Sequence, residues 1–207
     1  GQYMEMVVAE DKFSFSSELE NLASKMKFSN SNENEKFYTY LQFLENKQKQ
    51  VGKLRKNLES ANTSQKGSIN EKIDLLNTEV KNYQNVFKKQ EILFAKILLA
   101  SDEVKIPDAP VNSEGSIDSN FQFNYYKAHF FDNLDWSDKR MLRTPIIHNK
   151  INTYLEKLTY KVPDSIIVSC DYLINKSRAN DAMFRYMVSY LTSTYERTKI
   201  MGLEKVF

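Results

Sequence analysis

Cysteine is almost missing from this chain: one residue in 207. A single thiol excludes an internal disulfide, a CxxC redox pair and a cysteine-cluster zinc site. Glycine (5) and proline (4) are scarce too, together about a third of average usage. Five scattered glycines make neither a P-loop nor a GxGxxG turn, which removes the common phosphate-binding loops. Few turn-makers over this length point to helices. Only two histidines occur, His129 and His148, and neither sits in an HxxxH or ExxH pattern. That spacing offers no zinc or di-iron site, so no metal and no cofactor is expected. No apolar run approaches the ~20 residues that span a bilayer. Lys+Arg (29) nearly balances Asp+Glu (27), leaving a net charge of +2. Nucleic-acid-binding domains usually carry a marked basic excess, so no nucleic-acid partner is expected.

What is present suits a globular fold. Charged residues are 27%, hydrophobic ones 41% and aromatics 13%, enough to build a core rather than a disordered segment. The chain starts on Gly1 and ends on the apolar stretch Met201 to Phe207. Both ends predict a piece of a longer protein, with Gly1 as a tag scar.

Three regions follow one another. Residues 1–30 read as a β segment, the tail of a larger β-domain. Tyr3, Met4, Met6, Val7 and Val8 form an apolar run, and Phe13 and Phe15 alternate with Lys12, Ser14 and Ser16, as do Met26 and Phe28 with Lys25 and Lys27. Residues 31–207 read as a helical domain. Asn30 with Glu33, or Asn32 with Glu35, gives a capping-box start. Phe37, Leu41, Leu44, Val51 and Leu58 then keep a 4-3 spacing. Residues 60–67 read as a polar turn, and Ser68 with Glu71 as the start of a second helix. Its stripe is Ile69, Ile73, Leu76, Val80, Tyr83 and Phe87. Two heptad stripes joined by a short turn predict an antiparallel helical hairpin over 31–90. Residues 91–100 continue as a buried helix, and 102–120, punctuated by Pro107, Pro110 and Gly115, form a long loop. A helical bundle or array fills 121–207. Thr144-Pro145 is an N-cap followed by Pro at N1, Pro163 opens the next helix with Ile167, Cys170 and Ile174 inward, and Asn180 or Asp181 caps the last, with Phe184, Met187, Leu191 and Tyr195 on one face. The fold class is therefore mainly α: a long hairpin, a C-terminal helical array and a short β segment.

Catalytic signatures are thin. Ser24 and Lys27 match SxxK without companion motifs. Cys170 falls on an inward face, where a thiol behaves as a small hydrophobe. Lys47, Lys49, Lys53, Arg55 and Lys56 read as a solvated helix face. The richest segment is 121–143, with seven aromatics beside His129, Asp132, Asp135, Arg140 and Arg143. Such a segment either enters the core, with its Asp residues capping the next helix, or lines a groove for a peptide or glycan. If a client site exists, Tyr125, Tyr126, His129, Trp136, Arg140, Arg143 and the loop 102–120 are its candidates. The Asp, His and Arg groups of the same segment also admit a hydrolase, provided they converge on one open pocket.

The blocks Asn124 to Ser137, Leu142-Arg143-Thr144-Pro145, Pro163-Asp164-Ser165-Ile166 and Lys199 to Phe207 resemble, as a set, a helical domain of bacterial envelope proteins. In that family the domain lies upstream of a redoxin (TlpA-like, thioredoxin-fold) domain and behind a small β-domain. The resemblance implies that redox chemistry belongs to a CxxC beyond Phe207, which Cys170 does not match. It also implies export, as a periplasmic or lipid-anchored protein. The expected function is a non-catalytic scaffold or client-presenting module, with protein clients or a thioredoxin-fold neighbour as partners. The alternative is a helical interaction protein that pairs with another chain or forms a homodimer through its hairpin.

Overall fold

The computed structural model describes residues 4–18, 25–111, 115–116 and 118–198. Among them are two short strands, β1 (Ser14–Ser16) and β2 (Lys27–Ser29), and seven α-helices. The helices are α1 (Asn32–Ser60), α2 (Thr63–Phe87), α3 (Leu93–Ala100), α4 (Phe121–His129), α5 (Pro145–Lys157), α6 (Pro163–Ser177) and α7 (Asp181–Glu196), with a 3₁₀ helix over Lys139–Arg143. The expected class holds: mainly helical, with a small N-terminal sheet. The chain divides into two compact units, Gly1–Lys96 and Ile97–Phe207.

The first unit is the hairpin and its root. β1 and β2 pair antiparallel, with Phe15 opposite Phe28. The apolar run that starts at Tyr3 was expected as a third strand, but residues 4–9 form none. Side chains of α1 satisfy this segment instead of a neighbouring strand. Asn34 donates from Nδ2 to Val7 O (2.8 Å) and accepts from Val7 N at Oδ1 (2.8 Å). The Tyr38 hydroxyl donates to Glu5 O (3.0 Å). A carboxamide can stand in for one rung of a ladder because it carries both a donor and an acceptor. Beneath this seam Met26, Phe37 and Tyr38 form a buried cluster, joined by Val7, Phe28, Leu41 and Phe94.

The start of α1 differs from the expected capping box. Asn30 takes a left-handed conformation (φ 63°), which Asn tolerates better than most residues. The N-cap is Ser31, whose hydroxyl accepts from Asn34 N and donates to Glu10 Oε2 (2.9 Å). Glu10 Oε1 accepts from Glu33 N (3.0 Å). A distant carboxylate thus supplies part of the cap, which a local pattern cannot reveal. Glu33 is itself buried. Its oxygens accept from Leu93 N (2.6 Å) and Phe94 N (3.3 Å), the opening amides of α3. A helix N-terminus carries free N–H groups and a partial positive charge, so it stabilises a buried carboxylate.

The hairpin turn is shorter than expected. Only Ala61 and Asn62 separate α1 from α2, and Asn62 with Gln65 forms the capping box, not Ser68 with Glu71. The α2 stripe packs on α1 through Tyr40 and Phe43, which meet Tyr83, and Lys47 and Glu79 pair across the seam; Phe37 and Leu41 of the expected α1 stripe pack instead on the Met26 cluster. Burial is graded along it. Phe37, Tyr38, Tyr40 and Phe87 are buried at the root, while Leu44, Val51, Leu58, Ile69, Ile73, Leu76 and Val80 are only half-buried.

The second unit is the helical array. Thr144 caps α5 and Pro145 occupies its first turn, as expected. Pro163 opens α6, and Asn180, not Asp181, is the N-cap of α7. α6 packs on α7. The inward face of α6 is rotated from the expected one: Ile166, Ser169, Cys170, Leu173 and Ser177 are buried, while Ile167 and Ile174 are half-buried. On α7 the buried line is Met183, Met187, Leu191 and Tyr195, with Phe184 half-buried under Arg178. α4 buries none of its own residues. The fully buried aromatics, Phe130, Phe131 and Trp136, follow its end.

Glu33→Ala leaves two amides at the root of α3 without their carboxylate. The variant is expected to lose about 2–3 kcal/mol of stability, read as a lower urea midpoint. An unchanged midpoint would show that this cap contributes nothing.

Candidate functional site

The residues expected to bind a client do not form one surface. Trp136 is core, 8% exposed, with its ring 5.3 Å from that of Phe131. Its Nε1–H is buried without a hydrogen-bond partner among the described residues. Tyr125 packs between Phe121 and the His129 ring. His129 Nδ1 is 2.6 Å from Asp132 Oδ2. Arg140 directs Nε and Nη2 at Asp138, the residue that caps the 3₁₀ helix. Arg143 is exposed. The Asp, His and Arg groups therefore meet local partners instead of converging on one pocket. Ser24 of the SxxK match and the block from Lys199 to Phe207 lie outside the described residues.

Tyr126 and the start of the loop 102–120, at Asp102, Glu103 and Val104, are the candidates that reach a groove. The Tyr126 ring meets Phe130 edge to face at 5.5 Å. The groove, about 230 Å³, runs between the end of α3 with its following residues Ser101–Val104, the end of α4, and α5. The early start of α5 at Pro145 sets Ile146, Asn149, Lys150 and Thr153 on one face, at the i, i+3, i+4 and i+7 spacing of neighbours on a helix; all four line the groove. Lys150 crosses its floor. Its ammonium donates to Phe130 O (3.2 Å), the carbonyl that ends α4, and lies 4.6 Å from the Phe130 ring centre. Burial holds the Lys150 pKa below the usual lysine value. Sequence reasoning missed Lys150, Ile146 and Phe130. The signal was the N-cap at Thr144, which fixes the phase of the helix and so the face these residues share.

Two other clusters resemble chemistry without supporting it. The Lys127 ammonium lies 3.5 Å from Ser169 Oγ, and Ser169 Oγ lies 2.9 Å from Thr159 Oγ1. A Ser–Lys pair is a known nucleophile arrangement, but Ser169 is 1% exposed and buried among helices. Cys170 lines a pocket of about 180 Å³ between α6 and α7, beside Tyr195 and Asp171. Burial first, then the Asp171 charge, pushes its thiol up to about 11. A reactive cysteine needs the opposite surroundings. Among the described residues no group of three His, Cys, Asp or Glu could hold a metal ion, and no helix is long and apolar enough to cross a membrane.

The chain is mainly helical with a small N-terminal sheet, and its second unit carries a groove lined by apolar, acidic and cationic side chains. Residues 60–207 match the family described as a domain of unknown function, DUF5106, and the chain belongs to that family. Comparison with curated proteins and with solved structures found no match.

Two outcomes check this geometry. Native Cys170 is expected to react with a disulfide reagent at pH 8 about 100-fold more slowly than the denatured chain, since two pKa units separate about 11 from the ordinary 9.0. The raised thiol pKa favours the folded state below pH 9, and that contribution fades as pH rises from 9 toward 11. Equal rates would mean that the thiol is open. Trp136→Ala is expected to cost about 3–5 kcal/mol, whereas Arg143→Ala should stay within about 0.5 kcal/mol. Chemical denaturation separates them, and equal costs would contradict this partition.

Proposed function

We propose that this chain is a non-catalytic module that holds a protein client, the groove beside Lys150 being its contact surface. The observation behind this reading is the groove's composition: Tyr126, Phe130 and Ile146 give it an apolar side, and Lys150, Asn149 and Thr153, with Ser101, Asp102 and Glu103, supply polar groups that fix orientation. Cys170 lacks the surroundings of a redox thiol, so any thiol chemistry on a client comes from elsewhere. By resemblance, that source is a thioredoxin-fold domain following this one in a periplasmic or lipid-anchored envelope protein. A tethered client then meets the redox pair at high effective concentration. Thiol-trapping pull-down from envelope extract, with this chain alone and with its natural C-terminal extension, tests the reading. The same clients in both, disulfide-linked only with the extension, are expected. Failure of both forms to retain any client would refute it.

The half-buried hairpin seam favours a second reading, self-association. Leu75 and Val86 stand exposed on α2 (64% and 66%), and a second hairpin would cover such surface as a four-helix bundle. Sedimentation equilibrium separates the two: a mass that doubles with concentration supports pairing, and a fixed monomer mass excludes it.

A further inference from the structure

Lys150 is a half-buried cation without an anion. One of its three donors serves Phe130 O. No carboxylate among the described residues pairs with it, and desolvation by burial lowers its pKa. A desolvated ammonium with unused donors gains most from an incoming negative group. Asn149 and Thr153 stand beside it along α5. A second set of unused groups begins at Glu103 and Val104, which line the groove, and continues past it. After the turn that closes α3, the backbone of residues 103–106 makes no hydrogen bond with any described residue. A free run of main-chain donors and acceptors beside an apolar groove suits a chain added in extended form, where the backbone gives affinity and a pocket selects a side chain.

We propose that the groove receives the free C-terminus of an extended peptide whose last side chain is large and apolar. The terminal carboxylate meets the Lys150 ammonium. The last side chain packs on Tyr126, Phe130 and Ile146, and the preceding residues run along 103–106. This inference rests on the client-binding reading and names its ligand. Charge selects the class. The lining holds one ammonium beside the carboxylates of Asp102 and Glu103, so a single negative charge is matched only where it pairs directly with Lys150, and a second charge, as on a dianionic phosphate, meets repulsion. Size selects within that class. About 230 Å³ holds one large side chain, and the unpaired backbone of 103–106 offers nothing to a long alkyl carboxylate.

Fluorescence anisotropy on the full chain tests this with fluorescein-labelled hexapeptides of Gly and Ser that end in Phe, as free acid and as amide. Dodecanoate serves as competitor, and reduced, carboxymethylated lysozyme as a generic unfolded client. The free acid is expected to bind at least about tenfold tighter than the amide. Lys150→Met, which keeps an apolar stem over Phe130, should reduce the acid to the amide's affinity. The acid–amide comparison on the unaltered chain decides the matter even if that variant folds poorly. Equal binding of acid and amide overturns the C-terminal inference and leaves the client reading standing. So does binding of the carboxymethylated lysozyme when neither peptide binds. Dodecanoate displacing the acid peptide at lower concentration than unlabelled acid peptide overturns the peptide assignment. Loss of every probe refutes both readings.

Discussion

The first unit depends on one buried carboxylate. Glu33 stands in the first turn of α1, accepts from the opening amides of α3, and has its own amide held by Glu10. Three segments distant in sequence, the stretch around Glu10, the start of α1 and the start of α3, therefore share one polar junction. Burying a charge is costly unless hydrogen bonds replace its water. Here the free N–H groups of a helix end do so. The same helix end gains an acceptor, so the junction removes two liabilities at once. Asn34, the next residue on α1, and Tyr38, about one turn beyond Asn34, extend it by hydrogen-bonding Val7 and Glu5.

In the second unit, aromatic packing takes the place of a polar junction. Phe130, Phe131, Trp136, Tyr154 and Tyr172 pack in a chain of edge-on, tilted and stacked contacts. Lys127 and Lys150 place their ammonium groups over the rings of Tyr154 and Phe130. Cation–π contact and carbonyl donation partly offset the desolvation of these lysines. The groove inherits its one cationic side chain from that packing.

The helical architecture was legible because its signals are local. The stripe Ile69, Ile73, Leu76, Val80, Tyr83 and Phe87 lies along the hairpin seam, and Thr144-Pro145 and Pro163 start helices where expected. Signals that act at a distance were not legible. The cap of α1 depends on Glu10, and the apolar run before it is satisfied by side chains of α1 in place of a strand partner. The site was legible at Tyr126 and at the start of the loop 102–120, where Asp102, Glu103 and Val104 line the groove. Aromatic richness in 121–143 did not distinguish Trp136, which fills the core, from Tyr126, which reaches a groove. Lys150 looked like one more surface lysine, because its burial comes from Phe130, twenty residues earlier.

The burial gradient along the hairpin has a dynamic consequence. At 1.5 Å per residue the 29 residues of α1 extend about 43 Å, yet full burial is confined to their first third and to Phe87 of α2. Local opening costs least where few apolar contacts must be broken. The arm is therefore stiff at its root and soft at its tip. Amide exchange should quicken steadily from Tyr40 toward Ser60 and slow again from Thr63 toward Phe87. A protein that grips the tip would meet a surface able to adjust to it, while the root keeps its position.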